Sequence, residues 1–229
     1  MKAIARLIQK GKTLKEQVYA YLKDEIIVGN LKPGERLIEG KIAEELHISR
    51  SPIREAIRML EKDGLLHVHP SGGVNVVKPS IDDFRLLYEC RVEMEPLAAF
   101  YAAKRRTEEQ LEQIQLNLEQ MAARSSQANK KMIHEINVNF HESIVKASGN
   151  PFLISLITQF RGINSFYRQS ILDENPHHMN HALHEHQIIY EFILNQDSNK
   201  AHEWMKKHIE NDFQIFMKQS HITAGESDE

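Results

Sequence analysis

Cysteine is almost absent from this 229-residue chain, with Cys90 as its single example. A lone thiol excludes an intramolecular disulfide and is compatible with a reducing compartment, so the expected location is the cytoplasm. Long apolar runs are missing as well. None approaches the ~20 residues that cross a bilayer, so no membrane partner is expected. Met1 to Arg6 is too short and too charged to read as a secretory leader. There is no internal repeat and no low-complexity tract, and beyond residue 80 there is no alternating, strand-like stretch. What remains is 41% hydrophobic and 27% charged, a globular composition long enough for two modest domains.

The net charge of −3 hides an asymmetry. Residues 1–78 hold 14 basic and 10 acidic residues, a surplus of +4, while the rest hold 15 and 22, a deficit of −7. A basic N-terminal part on an acidic remainder reads as a small nucleic-acid module attached to something else. Histidine is uneven too: ten of the 13 lie between His134 and His221.

The chain falls into a basic arm (1–12), a first domain (13–78), a short linker (79–80), a second domain (81–222) and an acidic tail (223–229). Leu14, Val18, Tyr21, Leu22 and Ile26 keep helical spacing up to Gly29-Asn30. Lys32-Pro33-Gly34-Glu35 is a turn. A second helix follows over about Glu39–Leu46, then the connection His47-Ile48-Ser49. Next comes the segment Ser49-Arg50-Ser51-Pro52-Ile53-Arg54-Glu55-Ala56-Ile57-Arg58-Met59-Leu60. Ser51 fits an N-cap and Pro52 the first helical position, where a missing N–H costs nothing. Ile53, Ile57 and Leu60 form one apolar face. Arg50, Arg54 and Arg58 project elsewhere, as a DNA-reading helix requires, since arginine pairs bidentately with guanine. After Gly64 the period changes to 2. Leu66 and Val68, then Val74 and Val76, flank Pro70-Ser71-Gly72-Gly73 and predict a two-stranded hairpin, a wing. The second domain predicts helices near 81–104, 107–124, 129–148, 151–172, 178–195 and 198–220, with a capping box at Thr107–Gln110. The fold class is therefore mainly α: an N-terminal winged helix-turn-helix and a C-terminal all-α bundle.

These residues resemble the GntR family of bacterial transcription regulators, in its FadR-like branch with an FCD effector domain. The resemblance rests on Pro33-Gly34-Glu35-Arg36-Leu37, Ser49-Arg50-Ser51-Pro52-Ile53-Arg54-Glu55-Ala56 and Leu60-x-x-x-Gly64-Leu65. In the second domain it rests on Arg91-x-x-x-Glu95-Pro96, Phe140-His141, Gly149-Asn150, His186 and His208. Six helices look like the shorter, VanR-type variant. The resemblance implies a homodimeric regulator, a repressor or an activator, that binds double-stranded operator DNA and senses a small metabolite. By position it implies that Arg50, Ser51 and Arg54, with Ser49 beside them, contact bases or adjacent phosphates. Arg36 would contact the backbone, Arg58 at most a phosphate, and the wing around Gly72 the minor groove.

Helix geometry also points to a metal centre. Asn137 and His141 are i, i+4 and share a face. His186 and His208 each lie 11 positions from Asp197. A helical hairpin folded there sets both at one height, roughly 16 Å from the turn. Three imidazoles and one oxygen donor suit Zn²⁺, and Ni²⁺ or Mn²⁺ less decisively. The resembling family uses Asp, His, His and His; here Asn137 stands at the Asp position, which weakens a dication or leaves it dependent on an effector carboxylate. A small organic acid is the expected effector. Arg91 is the candidate second anchor, unless it only pairs with Glu95, and Arg161 and Asn164, with Arg168, are further candidates for the pocket. His177, His178, His181, His184 and His202 read as solvated.

Two rival readings stand beside this one. A metal-dependent hydrolase could recruit Glu142, Glu185 or Glu210 as a base, but no His-Glu-x-x-His motif is present and the winged head is left unexplained. An architectural DNA-binding protein with a purely structural helical dimer domain is the other.

Overall fold

The computed structural model describes residues 11–124, 130–171 and 177–225. Side chains are described for these except residues 124, 130–134, 161, 168–171, 177–180 and 219–225. The expected arm therefore lies almost wholly outside the described residues, as does the end of the tail.

The chain divides into two compact units, 1–80 with 162–170, and 81–161 with 171–229. In the first, α1 (Leu14–Val28) opens with a capping box in which Thr13 and Glu16 satisfy each other's backbone N–H. Gly29 ends it at φ 82°, a left-handed conformation that glycine adopts without strain. A two-residue strand, β1 (Arg36–Leu37), leads into α2 (Glu39–Leu46) and then α3 (Arg50–Lys62). His47, at φ 52°, makes the tight turn between these helices, and the Ile48 N–H bonds back to the Ala43 carbonyl. Val18, Leu22 and Ile26 of α1 join Ile42 and Leu46 of α2 and Ile53, Ala56, Ile57 and Leu60 of α3 in the buried core.

The wing has three strands rather than the two expected. β2 (Leu66–Val68) and β3 (Val74–Val76) form the hairpin, and β1 pairs with the other edge of β3, giving the antiparallel order β1-β3-β2. Two residues are too few to leave a period in the sequence, which is why β1 was not legible. The tip closes by His69 N–H to the Gly73 carbonyl and Gly72 N–H to the His69 carbonyl. Gly72 and Gly73 sit at φ 86° and 117°, where a side chain would be strained.

Beyond the linker there are six helices among the described residues, all in the second unit except residues 162–170, which group with the first. These are α4 (Ile81–Arg105), α5 (Glu108–Arg124), α6 (Lys130–Ala147), α7 (Pro151–Ile171), α8 (His177–Leu194) and α9 (Ser198–Gly225). The last runs beyond the expected 220, so Ala224 and Gly225 are helical rather than part of a frayed tail. The Thr107–Gln110 capping box is formed in both directions, at 2.9 and 3.2 Å. α9 packs along α4 and α8, and α6 along α4 and α5. Phe84 of α4 stacks on Phe216 of α9, and both are fully buried.

Leu60 is 0% exposed in the first unit's core. Leu60→Ala should cost about 2–5 kcal/mol in denaturant unfolding, and a loss under ~1 kcal/mol would contradict this packing.

Candidate metal centre and nucleic-acid interface

The start of α3 differs from the expectation in one detail. Ser49, not Ser51, occupies the N-cap, with extended backbone (φ −70°, ψ 161°) and no side-chain cap bond. Arg50 is thus the first helical residue, Ser51 the second and Pro52 the third. The correction has a simple cause: the N–H groups of the whole first turn lack intrahelical acceptors, so proline is tolerated past its first position. It also moves Arg50 onto the helix, where Arg50, Arg54 and Arg58 form one exposed i, i+4 stripe beside the buried face. Ser49, Arg50, Ser51, Arg54 and Arg58 are all exposed. Arg54 Nε donates to Glu39 Oε2 at 2.7 Å, so α2 orients this guanidinium. Arg50 lies over Gly40 of α2. Arg36, exposed on β1, has its guanidinium beside Gly73, next to Gly72 at the wing tip.

In the helical unit His141, His186 and His208 come together from α6, α8 and α9. The hairpin of α8 and α9 does to His186 and His208 what its symmetry about Asp197 requires: their Nε2 atoms are 3.0 Å apart. His208 Nε2 lies 3.3 Å from His141 Nε2. His186 is 0% and His208 3% exposed. Phe140 stacks on the His186 ring with centroids 4.1 Å apart and helps shut out water. Asn137, one turn before His141 on α6, is half-buried.

Two buried carboxylates hold the outer edges of two rings. Glu185 Oε2 is 2.7 Å from His208 Nδ1, and its other oxygen accepts from Asn211 at 2.6 Å. Glu95 Oε2 lies 2.8 Å from His141 Nδ1, a close charge contact in which the N–H is not aligned on the oxygen. Glu95 Oε1 accepts from Arg91 Nε at 2.6 Å, and Arg91 also reaches Asp212 at 3.6 Å. With the Nδ1 proton of His208 held by Glu185, the Nε2 of His208 is left as an acceptor. His208 Nε2 then faces His186 Nε2 at 3.0 Å and His141 Nε2 at 3.3 Å, where it can accept either a ring N–H or a cation. Two imidazoles on one tetrahedral Zn²⁺ place their nitrogens about 3.3 Å apart, so the donor set fits a divalent ion.

The electrostatics agree. Burial pushes the His186 imidazole well below its ordinary value, and the neighbouring His208 and His141 push it further. Burial also lowers His141, against the pull of Glu95. Burial opposes ionisation of Glu95, but the Arg91 and His141 charges outweigh it and hold the carboxyl well below the usual range. Glu185 is also lowered: burial raises it, and the His208 hydrogen bond and charge, then Asn211, more than reverse this.

Other expected residues fall elsewhere. Arg91 is 7% exposed and engaged with Glu95 and Asp212, so the plain i, i+4 pair is present. Asn164 is half-buried in the 162–170 segment of α7, which groups with the first unit. The Arg161 and Arg168 side chains lie outside the described residues. His181 and His184 are exposed. A groove of about 450 Å³ between α5 and α6, lined by Gln110, Gln113, Asn117, Asn139 and Glu142, contains none of the three histidines. Sequence reasoning missed the roles of Glu95 and Glu185. For Glu95 the signal was its spacing from Arg91; for Glu185, its place beside His186 pointed to the wrong histidine.

A winged helix-turn-helix head on an all-helical bundle defines a DNA-binding transcription regulator. The bacterial regulatory protein family gntR matches residues 14–76, and the FCD domain matches residues 86–211. The HTH-type transcriptional regulator YdhC of Bacillus subtilis is 33% identical over 199 residues, covering 86% of this chain and 88% of the relative. The HTH-type transcriptional repressor RspR of Escherichia coli is 26% identical, covering 85% of each. The solved structure of E. coli McbR/YncC shares the fold, with a TM-score of 0.78 and 24% identity, over 91% of this chain and 99% of that one. The chain belongs to the GntR family of bacterial transcription regulators and carries an FCD domain. Its domains and relatives are those of regulators, not enzymes, so the hydrolase reading is set aside. Among the described residues no helix is long and apolar enough to cross a membrane.

The buried histidines imply a pH dependence of stability. His141 and His186 bind protons less readily when folded than when unfolded. Their contribution is therefore complete above the unfolded value of about 6.5 and is lost as pH falls below it. The metal-free protein should show a falling Tm between roughly pH 7 and pH 5, measured by circular dichroism, and a flat Tm across that window would contradict it.

Proposed function

We propose that this protein is a metabolite-responsive repressor whose helical domain holds a divalent ion, Zn²⁺ before Ni²⁺ or Mn²⁺, and a small organic acid. One observation carries the reading: three desolvated imidazoles from three helices turn their Nε2 atoms toward one point. His141, His186 and His208 would hold the ion, with Asn137 as the oxygen donor from the same helix as His141. A bound ion supplies Lewis-acid positions for oxygen donors, which is the chemistry that recognises a carboxylate or hydroxy acid.

In this reading Glu95 and Glu185 orient the rings, and Arg91 acts through Glu95 as well as lying near the site. The output is the head. Arg50, Ser51 and Arg54, with Ser49, read base edges or adjacent phosphates, while Arg36, Arg58 and the wing at Gly72 contact the backbone and minor groove. Two heads of a homodimer meet two half-sites of a palindromic operator. The operator places the protein in the cytoplasm. Repression follows the relative RspR, which is named as a repressor. Effector and metal shift the population of the bundle between states that differ in operator affinity. Saturable control by a ligand is what separates this from an architectural DNA binder.

The test is operator binding by the full-length protein, using DNA upstream of its own gene, with Zn²⁺ present and small carboxylic and hydroxy acids titrated in. At least one acid should change the affinity, and Arg54→Ala should weaken specific binding by about 1–3 kcal/mol. If no acid changes the affinity, the sensing part fails. If Arg54→Ala binds as the wild type does, the base-reading role fails.

A further inference from the structure

We infer that Glu185 supplies, from behind His208, the negative charge that the donor set of this centre lacks, and so sets how tightly the centre holds a dication. The inference rests on the metal reading above. The three imidazoles are neutral donors, and Asn137 adds only a neutral amide. A dication among them would sit in a buried place with no charge of opposite sign in contact. Buried charge is costly unless it is compensated nearby.

Two carboxylates reach the rings, and they are not equivalent. Glu95 is 2.6 Å from the Arg91 guanidinium, which lies directly against it and neutralises much of its charge. Glu185 is also buried, at 5% exposure, and among the described residues no lysine or arginine contacts it. Among the described residues its contacts are His208 at 2.7 Å, Asn211 at 2.6 Å and the exposed His181 at 3.7 Å. None of these carries a fixed positive charge. Glu185 therefore keeps its charge for the centre and passes it through one imidazole: it accepts the Nδ1 proton of His208 and makes the opposite Nε2 more basic. Glu185 is a positioning residue with an electrostatic role, since it touches the ion only through His208.

Charge and orientation can be separated. Glu185→Gln keeps an oxygen to accept from His208 Nδ1 and removes the charge. Asn137→Asp puts a charge back at a different point of the same centre. Zn²⁺ affinity of the full-length protein, measured by competition with a chromophoric chelator, should fall about 10–100-fold in Glu185→Gln. It should rise in Asn137→Asp, and the double variant should return close to wild type. A merely structural role for Glu185, holding the ring through the Nδ1 hydrogen bond alone, would leave Glu185→Gln at wild-type affinity, and that result overturns the inference. Should Glu185→Gln fail to fold by circular dichroism, Asn137→Asp alone decides: unchanged affinity there rules the charge argument out. A wild-type protein that binds no Zn²⁺ ends the metal reading and this inference together, whereas binding that ignores all three variants ends this inference alone.

Discussion

The second unit is organised around one constraint: three imidazole nitrogens from three helices turned toward one another, two of them on buried rings. Nε2 of His186 and His208 are 3.0 Å apart, and His141 completes the group at 3.3 Å from His208. Each ring has one proton at most to offer its neighbours while it is neutral, so the group cannot satisfy all of its inward-facing nitrogens from within. The helices are held in this position by other means. Phe84 and Phe216 join α4 to α9, Phe140 covers His186, and α8 and α9 are hinged at Asp197, where the side chain accepts from the Lys200 N–H. A scaffold that holds like groups together is preorganised for a ligand of opposite character.

The carboxylates behind the rings extend this constraint outward. Arg91, Glu95 and His141 link α4 to α6, and Glu185, His208 and Asn211 link α8 to α9. Any group that enters the centre pulls on four helices at once through short, buried contacts. This is how a small ligand could change the state of a whole bundle, because packed helices shift between discrete arrangements instead of deforming continuously. The head shows a lighter version of the same principle. Glu39 holds the Arg54 guanidinium, and the left-handed turn at His47 sets α3 against α2.

Much of this was legible in the sequence, and the reason differs by element. α2 and α3 showed in the 3.6-residue spacing of Ile42, Leu46, Ile53, Ile57 and Leu60, all of which are buried. The wing showed in a change of period around two glycines. The meeting of His186 with His208 followed from equal distances to one turn, a purely local argument that survives folding. What was not legible depends on contacts between elements. β1 is defined by its partner β3, not by its own two residues. The N-cap moved from Ser51 to Ser49 because the first turn tolerates proline at several positions. Arg91 read equally well as an effector anchor or as a partner of Glu95. Glu185 stands next to His186 in sequence but serves His208 on another helix.

The metal content of the full-length protein, purified without chelators and measured by atomic spectroscopy, tests the central point most directly. Close to one divalent ion per chain is expected, and His208→Ala should lose it while keeping its helical content. A wild-type chain that carries no ion, and takes up none when Zn²⁺ is added, would mean that the three histidines serve packing alone.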